Sequence, residues 1–418
     1  MPLSRMRRAA ALALIPFVGA LAQQPAKIPL RQVRTLASTD SGVIDNVYAL
    51  RPMSDGHVIV NDALKHRLVL LDPDLKTYKV LADTSGNAPN KFGNGSGGLL
   101  YFPGDSVAFV DRASLALVVV DAQGNFGRVT TPPKQSDNVY FSGSTYGVPG
   151  FDVRGRLYYR SQLRGPVLPS ITPGMRDTLI VSPDSAPIIR ADFETRTLDT
   201  IARVRVPVNA NRIGSSGKGG FSMMRIVDPL PLDDEWAYFP DGTVAVVRGQ
   251  DYHIDWYHPD GTHTATPRMP FDWRRLSDAD KQRIVDSVQH AADSSLAATA
   301  AKEAQLAASL GRPAPPPPRG FIEVVKPSAL PDYVPAVRIA SQVRVDLDDN
   351  LWIIPSTSGQ GQGIGTVFDV VNRKGEIIER VQLPEGRNLQ GFGPGGVIYM
   401  SVPRTGWSRV ERAETIRP

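Results

Sequence analysis

Apolar residues along this chain gather into short runs rich in β-branched and aromatic side chains, each entered through a tight turn. One series reads HVIVND from His57, SVAFVD from Ser106, RLYYRS from Arg156, TVAVVR from Thr243, NLWIIP from Asn350 and VIYMSV from Val397. These runs do not alternate apolar with polar residues, so they predict strands buried on both faces. A second series follows as LVLLDPD, ALVVVDAQG, PIIRADFET, IDWYHPDG and TVFDVVNRKG, and a third starts at once as TYKVLAD, FGRVTTP, RTLDTIARV and EIIERVQL. The steps from Asp62 to Asp72, Asp111 to Asp121 and Arg248 to His258 are each ten residues. A constant step between strand ends is the mark of a repeated supersecondary unit.

Six units of four antiparallel strands predict an all-β fold, a six-bladed β-propeller, because a blade apolar on both faces can bury them only against its neighbours. The last unit reaches Pro418 one strand short, while Ile28–Ser38 reads as a strand ahead of the first unit. That N-terminal strand is expected to complete the last blade and close the ring, leaving no open edge. The stretch DGHVIVNDALKHRLVLLDPD, Asp55 to Asp74, has an Asp-Gly turn, a hydrophobic strand, an Asn/Asp loop and a His-Arg strand. In this it resembles the unit of NHL-repeat-like and TolB-like six-bladed propellers of exported bacterial proteins. The resemblance implies the same architecture over residues 28–418, but propellers serve binding, scaffolding and unrelated chemistries, so it implies no single activity.

In such a blade the turns between strands one and two, and three and four, lie on one face of the disc, and here all of them are tight. The excess length falls in the other connections: Asp83–Gly98, Pro132–Gly147, Gln162–Ala186, Val204–Asp233, Asp272–Ser341 and Ser356–Gly365. Long loops carried on one face of a rigid scaffold are the usual layout for binding. The largest insertion, about 272–320, predicts one or two Ala-rich helices starting at Ser277, with Asp280 three residues on as a capping box and Gly311 as a C-cap. Pro313 and Pro315–Pro318 then stop the helix and stiffen the segment beyond it.

Composition narrows the setting. The 418 residues are 41% hydrophobic and 21% charged, ordinary globular values. MPLSRMRR, an apolar run too short to span a bilayer, and Ala20-Leu21-Ala22 read as a signal peptide over residues 1–22, leaving 23–418 as the propeller domain. A periplasmic or secreted location is expected. Without Arg5, Arg7 and Arg8 the formal charge of +5 falls to about +2, and no basic stripe interleaved with aromatics points to nucleic acid. No run approaches the ~20 apolar residues of a membrane span. The absence of cysteine rules out disulfides, thiolate metal ligands and a cysteine nucleophile.

Chemistry-bearing residues are sparse. His253, His258 and His263 cluster in DYHIDWYHPDGTH, but a turn at Pro259-Asp260 would pair His263 near Trp256, on the face of His258 and opposite His253. The Gly-rich stretches Gly93–Gly98 and Ser358–Gly365 lack the Lys-Ser/Thr pair of a phosphate loop. The acids Asp346, Asp348 and Asp349, and Asp233, Asp234 and Glu235, invite calcium without the EF-hand spacing. Six-bladed lactonases of the gluconolactonase type hold an axial metal with Glu, Asn and Asp from their innermost strands. The same phase here, nine or ten residues before each first turn, gives Asn46, Gly95, Tyr146, Asp233, Ser341 and Arg387, with Asn388 beside it. A mixed polar ring containing an Arg suits a polar or anionic ligand better than a bare cation. The expected site is therefore Asn46, Tyr146, Asp233, Arg387 and Asn388, with no cofactor and no metal. The reading is a monomeric exported protein that binds a polar ligand or an envelope protein on its long-loop face without chemistry of its own. A metal-dependent hydrolase, lactonase or lyase using the axial ring, and a scaffold component of an envelope complex, are the alternatives.

Overall fold

Val58, Ile59 and Val60 are all fully buried, yet neighbouring side chains of a strand point to opposite faces. Their strand therefore has core on both sides. In the computed structural model, which describes residues 28–85, 90–93, 97–141, 147–161, 177–215, 221–313, 322–337, 343–359 and 363–416, Val58 and Val60 pack with Tyr399 and Val410. Ile59, between them, packs the other way with Leu99, Val107 and Phe109.

The chain is mostly β and its strands form small, mainly antiparallel sheets that for the most part follow one another along the sequence. Sheet one is Val47–Pro52, Val58–Asp62, Arg67–Leu71 and Tyr78–Asp83, with the short strand Asn90–Lys91 added at its edge. Sheet two is Leu99–Phe102, Ser106–Asp111, Ala116–Asp121 and Phe126–Thr130. Sheet three is Gly150–Phe151, Leu157–Arg160, Ser185–Ala191 and Leu198–Arg205, and sheet four is Glu235–Tyr238, Val244–Arg248, His253–Tyr257 and His263–Ala265. Sheet five is Arg344–Val345, Leu351–Ile353, Val367–Val371 and Ile377–Gln382, and sheet six begins Asn388–Gly393, Val397–Arg404 and Trp407–Thr415.

Each hydrophobic cluster lies between two successive sheets. Leu100 and Ala108 of sheet two meet Phe151 and Leu157 of sheet three, and Tyr158 and Ile188 meet Trp236 and Val244 of sheet four. Ala245 and Val247 meet Leu351 and Ile353 of sheet five, and Trp352 and Phe368 meet Ile398 and Met400 of sheet six. Sheet six in turn packs on sheet one. At about 1.5–3 kcal/mol for each buried aliphatic or aromatic side chain, these clusters are the main favourable term of the fold.

The N-terminal strand Leu30–Ser38 lies beside the strand nearest the other end of the chain. It runs antiparallel to Trp407–Thr415, with Val33 opposite Thr415 and Ser38 opposite Glu411. Its first residues also run parallel to Ile377–Gln382, with Leu30 opposite Arg380, so sheets five and six continue through it as one eight-stranded sheet. The sequence pattern anticipates the strand but not this second pairing. At nine residues it is long enough to serve both neighbours.

The long connections hold more order than loops. Thr178–Val181, Ala210–Ser215, Phe221–Val227 and Ile322–Val324 form a separate four-stranded sheet drawn from three different insertions. The Ala-rich segment is one helix, α1, Asp278–Ser309. Asp280 N donates to Ser277 Oγ at 3.2 Å and Ser277 N donates to Asp280 Oδ2 at 3.0 Å, which completes the expected capping box. Near the start of α1 the buried Lys281 pairs with Asp332 at 2.7 Å, whereas Leu306 and Leu310 beyond its middle are exposed. Among the described residues no helix is long and apolar enough to cross a membrane. The expected leader and Pro315–Pro318 lie outside the described residues.

Removing residues 28–38 unpairs two neighbouring strands at once and opens an edge. At about 1 kcal/mol net for each backbone hydrogen bond the loss should reach several kcal/mol, read by chemical denaturation; a melting point within about two degrees of the intact chain would show the strand to be dispensable. The tight turns should resist change unequally. Gly56 and Gly242 both have positive φ, +90° and +92°, so valine should cost at least about 1 kcal/mol at either. A Cβ at Gly242 would also stand 2.9 Å from both Arg156 Nη2 and Tyr158 Oη, against 3.3 Å from Pro73 Cβ at Gly56. Gly242→Val is therefore expected to be the more destabilising of the two in the same assay.

Candidate functional site

Because the sheets pack face to face, their first strands come side by side. Val47–Pro52 touches Asn388–Gly393 on one side and Leu99–Phe102 on the other, Leu99–Phe102 touches Gly150–Phe151, and Glu235–Tyr238 touches Arg344–Val345. Two cavities open between these strands. One, of about 420 Å³, lies where they begin, on the long-loop side, and is lined among others by Tyr48, Leu99, Arg387 and Asn388. The second, of about 390 Å³, lies where they end, on the tight-turn side, against Met53, Tyr101, Tyr238, Val345 and Phe392. Arg51, Val148, Arg344 and Gln390 line both cavities and form the waist between them.

Register explains how two arginines reach that waist. Arg51 stands opposite Ile59 and Arg344 opposite Trp352, each at the next-to-last pair before its turn. Each is five residues before the residue that turns the chain with positive φ, Gly56 at 90° and Asp349 at 62°. The same position holds Tyr101 in sheet two, Gly150 in sheet three and Ala237 in sheet four. Gly150 leaves its place to a neighbour: a Cβ there would lie 1.9 Å from Tyr238 Oη. Tyr238 itself stacks on Tyr158 with centroids 5.7 Å apart, which fixes its ring in the wall of the turn-side cavity.

The waist sets two positive charges close enough to act on one another. Arg51 Nη1 donates to the Leu50 carbonyl at 3.3 Å, and among the described residues its Nε has no hydrogen-bond partner. Arg344 Nη1 donates to the Gln390 carbonyl at 3.1 Å. Burial, and then the charge of Arg51, bring the Arg344 guanidinium down to about 9. Burial lowers Arg51 as well, partly offset by Tyr238. Charged groups taken from water and set beside a like charge lose stability, so the arginine pair is held at a cost by the strands around it.

The expected site residues divide. Arg387 and Asn388 line the long-loop cavity, but Arg387 is committed: its Nε donates to Glu411 Oε2 at 3.3 Å and its Nη1 to the Glu385 carbonyl at 3.0 Å. Asn46 stands just before the lining residues Val47 and Tyr48 and does not itself line the cavity; its N–H donates to Asp62 Oδ1 at 2.9 Å. Asp233 is buried beside sheet four, its carbonyl oxygen only 2.1 Å from where a Cβ on Gly249 would be, and lines neither cavity of the channel. Tyr146, Gly95 and Ser341 lie outside the described residues. Sequence reasoning missed Arg51 and Arg344. Their shared five-residue distance from a turn is the signal they carry, one phase deeper in the channel than Arg387 and Asn388.

The histidine cluster differs from expectation by one residue of register. His263 pairs with Tyr257, not Trp256, and so shares a face with His253 and Asp255. His253 Nε2 lies 3.3 Å and His263 Nε2 3.6 Å from the same Asp255 Oδ1, while His253 Nδ1 is 2.6 Å from Asp251 Oδ1. His258 is on the other face with Thr264, 3.2 Å from its Oγ1. Asp255 and Asp234 are both bound by Arg248, each at 2.7 Å. Among the described residues no group of three or more His, Asp or Glu side chains is disposed to hold a metal ion. Asp346 serves its own turn, accepting from Asp348 N, Asn350 N and Trp352 Nε1.

A base whose folded pKa is depressed destabilises the fold fully below that pKa and progressively less as pH climbs toward its unfolded value. Arg344→Met should therefore melt about two degrees or more above the parent at pH 7, with the advantage shrinking as pH passes 9, the value to which Arg344 is brought down. A lower melting point at every pH would mean that the bond to Gln390 outweighs the repulsion.

No family profile and no curated protein matches the chain. Among solved structures it is similar to a member of the DUF4221 family from Bacteroides vulgatus, with TM-score 0.47, 8% identity and coverage of 94% of this chain and 100% of that one. It is also similar to a catalytically inactive virginiamycin B lyase from Staphylococcus aureus with quinupristin, with TM-score 0.39, 9% identity and coverage of 92% and 100%. A third is the PQQ-bound aldose sugar dehydrogenase from Streptomyces coelicolor, with TM-score 0.39, 13% identity and coverage of 94% and 99%. At such scores and identities the chemistry of those proteins does not transfer, and what this chain does has to be read from its own residues.

Proposed function

We propose that the chain is an exported six-bladed β-propeller, closed by its N-terminal strand, which binds a small anionic ligand in its axial channel and performs no chemistry on it. Support for six blades is the succession of clusters between neighbouring sheets, the last joining sheet six to sheet one. Support for closure is the antiparallel pairing of Leu30–Ser38 with Trp407–Thr415. Export draws its support from the signal-peptide pattern of residues 1–22.

The observation that carries the binding reading is the arginine waist. Arg51 and Arg344 line both cavities, and among the described residues no carboxylate bonds Arg51. An anionic ligand supplies a counter-charge to Arg51, and a guanidinium pairs two oxygens of a carboxylate or phosphate at once. Entry is from the long-loop side, where Arg387 and Asn388 stand at the mouth. The same two positive charges repel a divalent cation, which leaves the axial-metal hydrolase with less support. A scaffold role for α1 draws on its exposed Leu306 and Leu310 and would not involve the channel.

Isothermal titration of the full mature chain with acetate, succinate, phosphate and a neutral polyol is the test. The anions are expected to bind and the polyol not to. Arg51→Gln should weaken the anions at least tenfold, in line with about 1.5–3 kcal/mol for a hydrogen bond to a charged group. Anions that fail to bind, or that bind Arg51→Gln and Arg344→Gln as well as the parent, would overturn the reading.

A further inference from the structure

The two halves of the channel differ in chemistry. The long-loop half presents Tyr48, Arg387 and Asn388 among its lining. The tight-turn half is walled mainly by apolar and aromatic groups, Met53, Tyr101, Tyr238, Val345, Leu347 and Phe392. Tyr101 and Leu347 are exposed, 42% and 63%, so the apolar wall is open to whatever occupies the space. The positive waist lies between the halves.

At the far rim of the apolar half the sign reverses. Asp105 and Asp346 line it. Asp105 accepts from Ser54 N at 2.8 Å and from Ser54 Oγ at 2.6 Å. Asp346 accepts from Trp352 Nε1 at 2.9 Å and from two backbone N–H groups of its turn. Among the described residues none of these bonds comes from a cation, so both carboxylates bring negative charge to the rim. From the waist outward, the channel thus runs from positive, through apolar, to negative.

Given the anion site proposed above, on which this step rests, we infer that the natural ligand is an amphiphilic monoanion: an organic carboxylate whose head sits between Arg51 and Arg344 and whose apolar body fills the tight-turn half. A bare inorganic anion would leave that apolar wall wet. A dicarboxylate long enough to fill it would bring its second charge against Asp105 and Asp346. An apolar body with one charged end matches all three zones, and burial of its methylenes adds to the affinity of the head.

The experiment uses straight-chain monocarboxylates from acetate to decanoate, decanedioate, and inorganic phosphate, each titrated calorimetrically into the full mature chain. Affinity is expected to rise about two- to fourfold per added methylene until the cavity is filled, and decanedioate should bind at least tenfold more weakly than decanoate. Arg51→Gln should weaken the whole series by one common factor, whereas Tyr101→Ser should flatten its slope. If acetate and phosphate bind, Arg51→Gln weakens them, and chain length makes no difference, the amphiphile inference is overturned while the anion site stands. A steep slope that Arg51→Gln leaves untouched would place the alkyl chain elsewhere and overturn both readings. Decanedioate binding as well as decanoate would overturn the monoanion assignment.

Discussion

A sheet whose second strand carries Val58, Ile59 and Val60 side by side has no solvent face. Each of its two surfaces must be covered by another sheet with the same need, and the covering sheets pass the requirement on. The clusters from Ile59 with Phe109 to Tyr399 with Val58 are successive answers to that demand. Everything else in the molecule is placed by it. The first strands are brought side by side because each belongs to a sheet pressed between two others, and the channel is the space they leave.

That placement explains how a stable scaffold tolerates an unfavourable centre. Arg51 and Arg344 are carried to the waist by strands whose other residues are packed. The repulsion and lost hydration that pull Arg344 down to about 9 are small beside the burial of the six clusters. The contrast with Arg387 is instructive. That side chain is satisfied by Glu411 and the Glu385 carbonyl, and so belongs to the architecture of the mouth, whereas Arg51 has an Nε without a partner among the described residues. A charge left uncompensated in a cavity is a better pointer to ligand chemistry than a charge already paired.

The insertions show a second level of order built on the first. Three segments far apart in sequence meet in one extra sheet, and α1 is anchored near its start by the capping box and by Lys281 with Asp332. Past its middle it relies on alanine-rich helix propensity more than on packing, as the exposed Leu306 and Leu310 show.

Local physics makes much of this visible in the amino-acid sequence. Runs such as HVIVND and TVAVVR declare strands buried on both faces, Asp-Gly pairs declare turns with positive φ, and Ser277 with Asp280 declares the start of α1, because each depends on residues within a few positions of one another. What the tertiary structure alone decided were matters of partnership. Whether His263 faces His253 or His258 turned on one residue of hairpin register, and a shift of one residue exchanges the faces of a strand. That Thr178–Val181 would pair with Ala210–Ser215, or Phe221–Val227 with Ile322–Val324, depended on chain segments whose separation carries no local signal. Arg51 and Arg344 are 293 positions apart, and each alone reads as an ordinary arginine near a turn. Only the packing of sheet against sheet brings them to one waist, which is why the strands were legible residue by residue and the centre of the channel was not.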